Sequence, residues 1–104
     1  MNRREAIAGF AAEMLAESYY DAHEVLEEFW RTLDRRSSEA LVLQGLIQGA
    51  VALEHLKRGH PDRAARLARK AVPKLDQAAE VDGFDATALR RRLIGMLDAD
   101  SAQA

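Results

Sequence analysis

The chain has 104 residues, of which 48% are hydrophobic and 31% are charged, a composition typical of one ordinary folded domain. Its 15 basic and 17 acidic side chains give a formal net charge of -2, which argues against a whole-chain attraction to nucleic acid or membranes, and the lack of cysteine excludes thiol chemistry and thiolate metal sites. Because no secretion signal is recognisable and no apolar run approaches the roughly 18 residues of a membrane span, we expect a cytoplasmic protein.

Apolar residues recur at spacings of three and four along nearly the whole chain, which contains only 2 prolines and 6 glycines. This spacing predicts helices rather than strands. We therefore expect an all-α protein, a compact bundle of about five helices built from helical hairpins around a central apolar helix. A single domain is expected over residues 1–104, with a core from about 3 to 97 and a frayed tail over 98–104.

The first predicted helix begins after Asn2, which has the spacing of a capping box with Glu5, and it ends near Ser18. The second runs from about Tyr20 to Leu33, with Trp30 at the edge of its buried face. The side chains that we expect the first helix to bury are Ile7, Phe10, Ala11, Met14 and Leu15.

The third predicted helix is the most apolar part of the chain. It begins at Ser37 or Ser38, continues to about Arg58, and carries no charge between residues 40 and 53. Apolar side chains surround nearly its whole circumference, which predicts a central helix that the others cover. If five short helices fail to cover it, the exposed apolar surface would favour a homodimer.

Two further helices complete the predicted bundle. The fourth begins with Pro61 in its first turn. Pro73 lies within the apolar pattern of this helix, so we expect a kink or a break between Arg69 and Pro73. A fifth helix is capped by Asp85 and ends near Leu97.

One segment of the second helix carries residues suited to chemistry. His23 and Glu27 lie one helical turn apart on the same face, beside Trp30. An imidazole and a carboxylate so placed can bind one divalent cation, and Glu24 then takes the position of the general base in the zinc-protease pattern His-Glu-x-x-His. Glu27 replaces the second histidine of that pattern, which removes the protease interpretation and requires a third ligand from elsewhere.

The third helix supplies candidates for that ligand, because Gln44, Gln48 and His55 lie in one line along it. Buried amides and imidazoles need hydrogen-bond partners, and His23 and Glu27 across a helix interface are the nearest obvious ones. Two alternatives remain open. The shared pocket holds a metal ion, or it is a closed hydrogen-bond network that binds nothing.

Positive charge is concentrated in the second half of the chain. Only one acidic residue, Asp62, lies between residues 57 and 74. The basic residues of this stretch form a candidate electrostatic footprint for nucleic acid or an acidic protein, although without interleaved aromatics a solvated helix face is the preferred interpretation. They are Lys57, Arg58, Arg63, Arg66, Arg69, Lys70 and Lys74.

Two motifs occur in order along the second and third helices. They are Tyr20-x-Ala22-His23-Glu24-x-x-Glu27-x-x-Trp30 and Leu43-Gln44-Gly45-Leu46-Ile47-Gln48, with His55 downstream. Together they resemble the small all-helical family called domain of unknown function 309, over about residues 5 to 80. Members of this family are labelled predicted metal-dependent hydrolases on the strength of their His and Glu positions.

Two functions are therefore expected. The leading hypothesis is a divalent-metal-dependent hydrolase, in which His23, Glu27 and His55 hold one metal ion and Glu24 activates water. The residues that would line this pocket and orient ligands or substrate are Tyr20, Trp30, Gln44 and Gln48. The alternative is a non-enzymatic interaction module, in which helical hairpins present a groove or the basic fourth helix to a protein partner and the polar side chains form only a structural network.

Overall fold

The computed structural model describes residues 1–103, which form five α-helices and one short β-hairpin. The helices are α1 (Arg3–Leu15), α2 (Tyr19–Trp30), α3 (Ser38–Lys57), α4 (Pro61–Leu75) and α5 (Ala86–Gln103), and the strands are β1 (Glu80–Val81) and β2 (Phe84–Asp85). The predicted all-α bundle of five helices is confirmed. None of the helices within the described residues is both long and apolar enough to cross a membrane.

The capping box predicted at the start of α1 is confirmed. Asn2 Oδ1 accepts a hydrogen bond from the Glu5 backbone N–H at 2.8 Å, and the Glu5 carboxylate accepts one from the Asn2 backbone N–H at 3.1 Å. The predicted burial of Leu15 is wrong, since its side chain is 89% exposed. Leu15 lies on the opposite side of α1 from Ala6, which is fully buried, so it cannot share the buried face.

Helix α3 lies at the centre of the bundle and contacts α2, α4 and α5. A Cβ atom placed on Gly45 would lie 2.9 Å from the Cβ of Lys74 in α4, and one on Gly49 would lie 3.0 Å from the Leu89 side chain in α5. The prediction of a central apolar helix is confirmed. Its buried residues are Ala40, Val42, Leu43, Gly45, Leu46, Ile47, Gly49, Ala50, Ala52 and Leu53. Leu41 and Leu56 of the same helix are 42% and 41% exposed, and the homodimer stays a prediction.

The predicted break in the fourth helix is wrong, because α4 continues from Pro61 to Leu75. Pro73 lies in the last turn, only two residues before the helix ends. The ring removes the hydrogen bond that this backbone nitrogen would otherwise donate to the Arg69 carbonyl. Little helix follows Pro73, so this loss does not divide the element.

A two-stranded hairpin between α4 and α5 was not predicted. Strands β1 and β2 pair antiparallel, and the turn residues Asp82 and Gly83 have φ values of 46° and 87°. Positive φ at both turn residues is the requirement of the type I′ turn, for which Asp-Gly is a preferred pair. The Asp85 carboxylate then accepts the Ala88 backbone N–H at 2.9 Å, which confirms the predicted cap of α5.

Helix α5 extends to Gln103, whereas the sequence predicted an end near Leu97. An ion pair between Arg69 Nη2 of α4 and Asp100 Oδ2, at 2.9 Å, fastens the additional turns to the bundle. Most of the predicted frayed tail is therefore helical. Its last residue, Ala104, lies outside the described residues.

Arg3 joins three separate parts of the chain. Its Nη1 lies 2.8 Å from Glu39 Oε2 at the start of α3, and its Nε lies 2.9 Å from Asp82 Oδ2 in the hairpin turn. Both pairs are solvent-accessible, so each contributes at most about 1 kcal/mol to stability. Their main effect is to hold α1 against the hairpin.

Candidate functional site

Helix α2 brings His23 and Glu27 together. His23 Nδ1 lies 2.5 Å from the Tyr20 carbonyl oxygen, so the Nδ1–H group donates to that oxygen and Nε2 carries the free lone pair of the neutral ring. Nε2 lies 3.5 Å from Glu27 Oε2. The other oxygen of Glu27 already accepts a hydrogen bond from Arg31 Nη2 at 2.8 Å. The pair therefore offers one free imidazole nitrogen and one carboxylate that Arg31 partly neutralises.

A small cleft between α2 and α3 contains His23 and His55, and its volume is about 180 Å³. The Tyr20 ring stands edge-on to the His23 ring, with 4.8 Å between the ring centroids, and Tyr20 is 52% exposed. The cleft thus brings together three of the predicted site residues. Its full lining consists of Tyr20, His23, Val51, Glu54, His55 and Arg58.

Three of these cleft residues were not predicted from the sequence. Val51 and Glu54 lie on α3 within one turn of His55, and Arg58 is the C-cap residue of that helix. Val51 and Arg58 are each three or four residues from both Glu54 and His55, and this spacing was the available signal because such residues share a helix face. Arg58 Nε also pairs with a Glu54 oxygen at 2.5 Å, which closes one end of the cleft with an ion pair.

The glutamines of α3 do not belong to this cleft. Gln48 Oε1 accepts a hydrogen bond from Lys74 Nζ of α4 at 2.7 Å, a different partner from the predicted pair on α2. Gln44, one turn earlier, is half-buried and is not part of the cleft lining. The physical reason is that this line of polar residues runs between α2 and α4, so its members reach different neighbours.

Trp30 and Glu24 also lie outside the cleft. The Trp30 indole N–H donates to the Ala40 carbonyl at 2.9 Å and fastens the end of α2 to the start of α3, while the Arg35 guanidinium lies 4.7 Å from the Trp30 ring centroid. Glu24 is exposed and lines a separate surface depression together with Tyr20, His23 and Glu27. Its role as a general base stays a prediction.

The predicted metal ligands are not assembled as one centre. Within residues 1–103, no group of three or more His, Asp or Glu side chains is arranged to hold a metal ion. A zinc ion in a catalytic site takes three protein ligands, and α2 supplies only His23 and Glu27. His23 and His55 line the same cleft, but Glu27 is not part of its lining, and the three-ligand site stays a prediction.

His55 lies in positively charged surroundings. Its Nδ1 atom is buried and has no hydrogen-bond partner within the described residues, and its ring centroid lies 6.2 Å from that of His60. Burial lowers the pKa of His55, and the nearby charges of Arg63, His60 and Arg58 lower it further. The neutral imidazole is therefore the favoured form in the folded protein.

Replacing Arg63 by glutamine should raise the pKa of His55, because it removes one of the charges that disfavour the imidazolium ion. NMR titration of the His55 ring protons measures this shift. Arg91→Gln, an exposed position on α5, serves as the control and should leave the titration unchanged. An unchanged His55 pKa in Arg63→Gln would contradict the electrostatic account.

The same lowered pKa makes stability depend on pH in a defined direction. The unfolded chain binds a proton at His55 near the ordinary value of 6.5, whereas the folded chain binds it only at a lower pH. The contribution of His55 is therefore fully present above that ordinary value and is lost as the pH falls towards the folded-state pKa.

The fold and the cleft define a small all-helical domain in which a small cleft lies between two helices. Residues 7–67 match the family model described as Domain of unknown function (DUF309). The chain therefore belongs to this family, and the resemblance stated from the two motifs is confirmed.

One relative shows where such a domain occurs. Over 66 residues the chain is 38% identical to an uncharacterized protein of Aquifex aeolicus (strain VF5). The matched region is 64% of this chain but only 19% of that protein, so this chain corresponds to about a fifth of the curated relative. No solved structure shows significant similarity to the chain.

Proposed function

We propose that this domain is a non-enzymatic binding module, which contacts another protein through the open face of α3 between α2 and α4. The open face consists of Gln44, Gln48, Val51 and His55. The observation that carries this proposal is the placement of these polar residues. They form a half-exposed row between two helices, and Gln48 bonds to Lys74 of α4 rather than to His23 or Glu27.

The composition of this surface supports a protein contact. The row combines amide, aliphatic and imidazole side chains, and each of them is partly accessible. Exposed apolar groups adjoin it, since Tyr20 of α2 is 52% exposed and Leu41 of α3 is 42% exposed. Tyrosine is enriched among the residues that dominate protein–protein binding, because it offers a large rigid surface and one polar group.

The Aquifex relative also supports a modular role. The region similar to this chain makes up 19% of that protein, so the domain occurs there as part of a much longer polypeptide. A small helical domain within a longer chain is suited to holding a partner or a neighbouring domain in place. This arrangement agrees with a binding function that needs no catalytic centre of its own.

A metal-dependent hydrolase is the second candidate, and one observation favours it. The hydrogen bond from His23 Nδ1–H to the Tyr20 carbonyl fixes the ring and leaves Nε2 free, as is usual for histidines that bind metals. In this alternative His23 and Glu27 would hold the ion, His55 would have to move to complete the site, and Glu24 would activate water.

Elemental analysis of untagged protein, purified without chelator, separates the two candidates. If the domain is a binding module, its metal content should lie far below one ion per chain. Incubation with zinc, manganese or nickel, followed by desalting, should leave that metal content unchanged. The matched control is the double variant His23→Ala, Glu27→Ala, with its helix content checked by circular dichroism. Near-stoichiometric metal in the wild type that disappears in a still helical variant would overturn the module and establish the metal site.

A further inference from the structure

The outer side of α4 carries a continuous row of positive charge. Arg63, Arg66, Lys70 and Lys74 follow one another at spacings of three, four and four residues, which places them on one side of the helix. With a rise of about 1.5 Å per residue, the row extends over roughly 16 Å, and successive charges lie about one turn apart. We call these four residues the basic stripe.

The charges of the basic stripe are not neutralised within the domain. Across residues 1–103, none of the four has a carboxylate within 4.0 Å. Lys74 donates only to the neutral amide of Gln48. Burial, together with the charge of Lys70, lowers the pKa of Lys74, which is the direction expected for like charges one turn apart.

Among the eleven basic residues outside the stripe, five pair with a carboxylate within residues 1–103. The pairs are Arg3 with Glu39 and Asp82, Arg31 with Glu27, Arg58 with Glu54, Arg69 with Asp100, and Arg90 with Asp76. Even Arg69, which belongs to α4, is neutralised on the side of the helix that faces α5. What marks the basic stripe is that four charges without a carboxylate partner follow one another at one-turn spacing on one side of a single helix.

The basic stripe borders the open face of α3. Helices α3 and α4 approach closely at Gly45, and the hydrogen bond from Lys74 to Gln48 joins the two rows of side chains. Leu67 lies between Arg63 and Lys70 in the sequence and is half-buried. A segment that lay along α4 would thus meet positive charge on one edge and partly apolar surface on the other.

The charge of α2 indicates which kind of partner this surface fits. Asp21, Glu24 and Glu28 are exposed on α2, on the other side of α3 from the basic stripe. A long nucleic acid that crossed from α4 towards α2 would meet this negative charge and be repelled. A short acidic protein segment aligned with α4 would not.

We propose that the basic stripe docks an acidic, amphipathic helix of a protein partner, laid along α4. Carboxylates three or four residues apart on such a helix repeat the one-turn spacing of the stripe, and its apolar edge would cover Leu67. This inference rests on the proposed binding function and names the chemistry of the partner.

The test uses a synthetic amphipathic peptide with glutamates at one-turn spacing and leucines along the adjoining edge, labelled for fluorescence anisotropy. The wild-type domain should bind it, with affinity that falls as salt is added. Reversing two exposed charges of the stripe, Arg66→Glu with Lys70→Glu, should weaken binding by about tenfold or more. The control variant, Arg4→Glu with Arg91→Glu, makes the same change in net charge at other exposed positions and should retain binding.

Other outcomes would overturn the assignment. Equal losses of peptide affinity in the two double variants would show that binding responds to net charge alone. If the wild-type domain does not bind the peptide even at low salt, the basic stripe is not a docking surface. Tighter binding of a single-stranded DNA 20-mer than of the peptide would favour nucleic acid. Chemical-shift changes confined to the cleft between α2 and α3 would show that the peptide does not bind the basic stripe. The proposed binding function would still stand, because the metal analysis tests it independently.

Discussion

Replacing Phe10 by alanine is expected to lower the free energy of unfolding by about 3 to 5 kcal/mol. Phe10 is fully buried in α1, and its ring packs edge-on against Phe84 of β2 with 5.1 Å between the ring centroids. Truncation removes this contact and leaves a cavity between α1 and the hairpin, which the surrounding elements can fill only partly. Urea unfolding followed by circular dichroism measures the loss.

The control for this experiment lies on the same helix. Leu15 is 89% exposed, so Leu15→Ala should change the free energy of unfolding by no more than about 0.5 kcal/mol. Similar losses in the two variants would show that α1 does not bury Phe10 as described. Comparison within one helix also separates the packing effect from any change in helix propensity, since alanine is introduced at both positions.

Replacing Gly45 by valine is expected to cost about 1 to 3 kcal/mol, because the new side chain overpacks the interface between α3 and α4. A Cβ at this position would lie 2.9 Å from the Cβ of Lys74 and 3.1 Å from Leu75 Cδ2. The two helices must move apart to admit it, which also disturbs the hydrogen bond between Gln48 and Lys74. Thermal and urea unfolding give the stability change.

Gly95 provides the matched comparison, because a Cβ added there meets nothing within 4 Å. Gly95→Ala should raise stability by roughly 0.5 to 1 kcal/mol, since alanine favours the helix more than glycine does. The two glycine substitutions should therefore act in opposite directions. Stabilisation by Gly45→Val would contradict the close approach of α3 and α4.

The helices could be predicted because their signals are local. The capping box of Asn2 and Glu5 and the Asp85 cap each act within one turn, so the residues that determine them are adjacent in the sequence. The effect of Pro73 could not be predicted in this way, because it depends on where α4 ends, which is not a local signal. A proline breaks a helix only when enough helix follows it, and tertiary packing sets the end of α4.

The hairpin was missed because strands of two residues show no periodicity. Only the Asp82-Gly83 dipeptide indicates a turn, and a turn alone does not distinguish a hairpin from a connection between two helices. The hairpin is stabilised by a contact between residues distant in the sequence, because Phe84 of β2 packs against Phe10 of α1. Short elements of this kind depend on the packing of distant helices.

The candidate site could be predicted only within single helices. His23 and Glu27 are adjacent because they are four residues apart on α2, which the spacing alone requires. The partner of Gln48 depends on whether α2 or α4 lies nearer to its side of α3, and the sequence of α3 contains no such information. Lys74, which forms that contact, is 26 residues away.

The ion pair of Arg3 has a consequence for how the chain folds during synthesis. Arg3 contacts Asp82, a residue 79 positions later, so this contact can form only after Asp82 has been translated. Until then, α1 can pack against α2 but has no hairpin to close over its other side. Such a long sequence separation slows the step of folding in which α1 meets the hairpin, because the ends of a large loop must come together before the contact stabilises the fold. The nascent chain therefore leaves Phe10 partly uncovered until Phe84 has emerged, and exposed apolar surface of this kind favours aggregation.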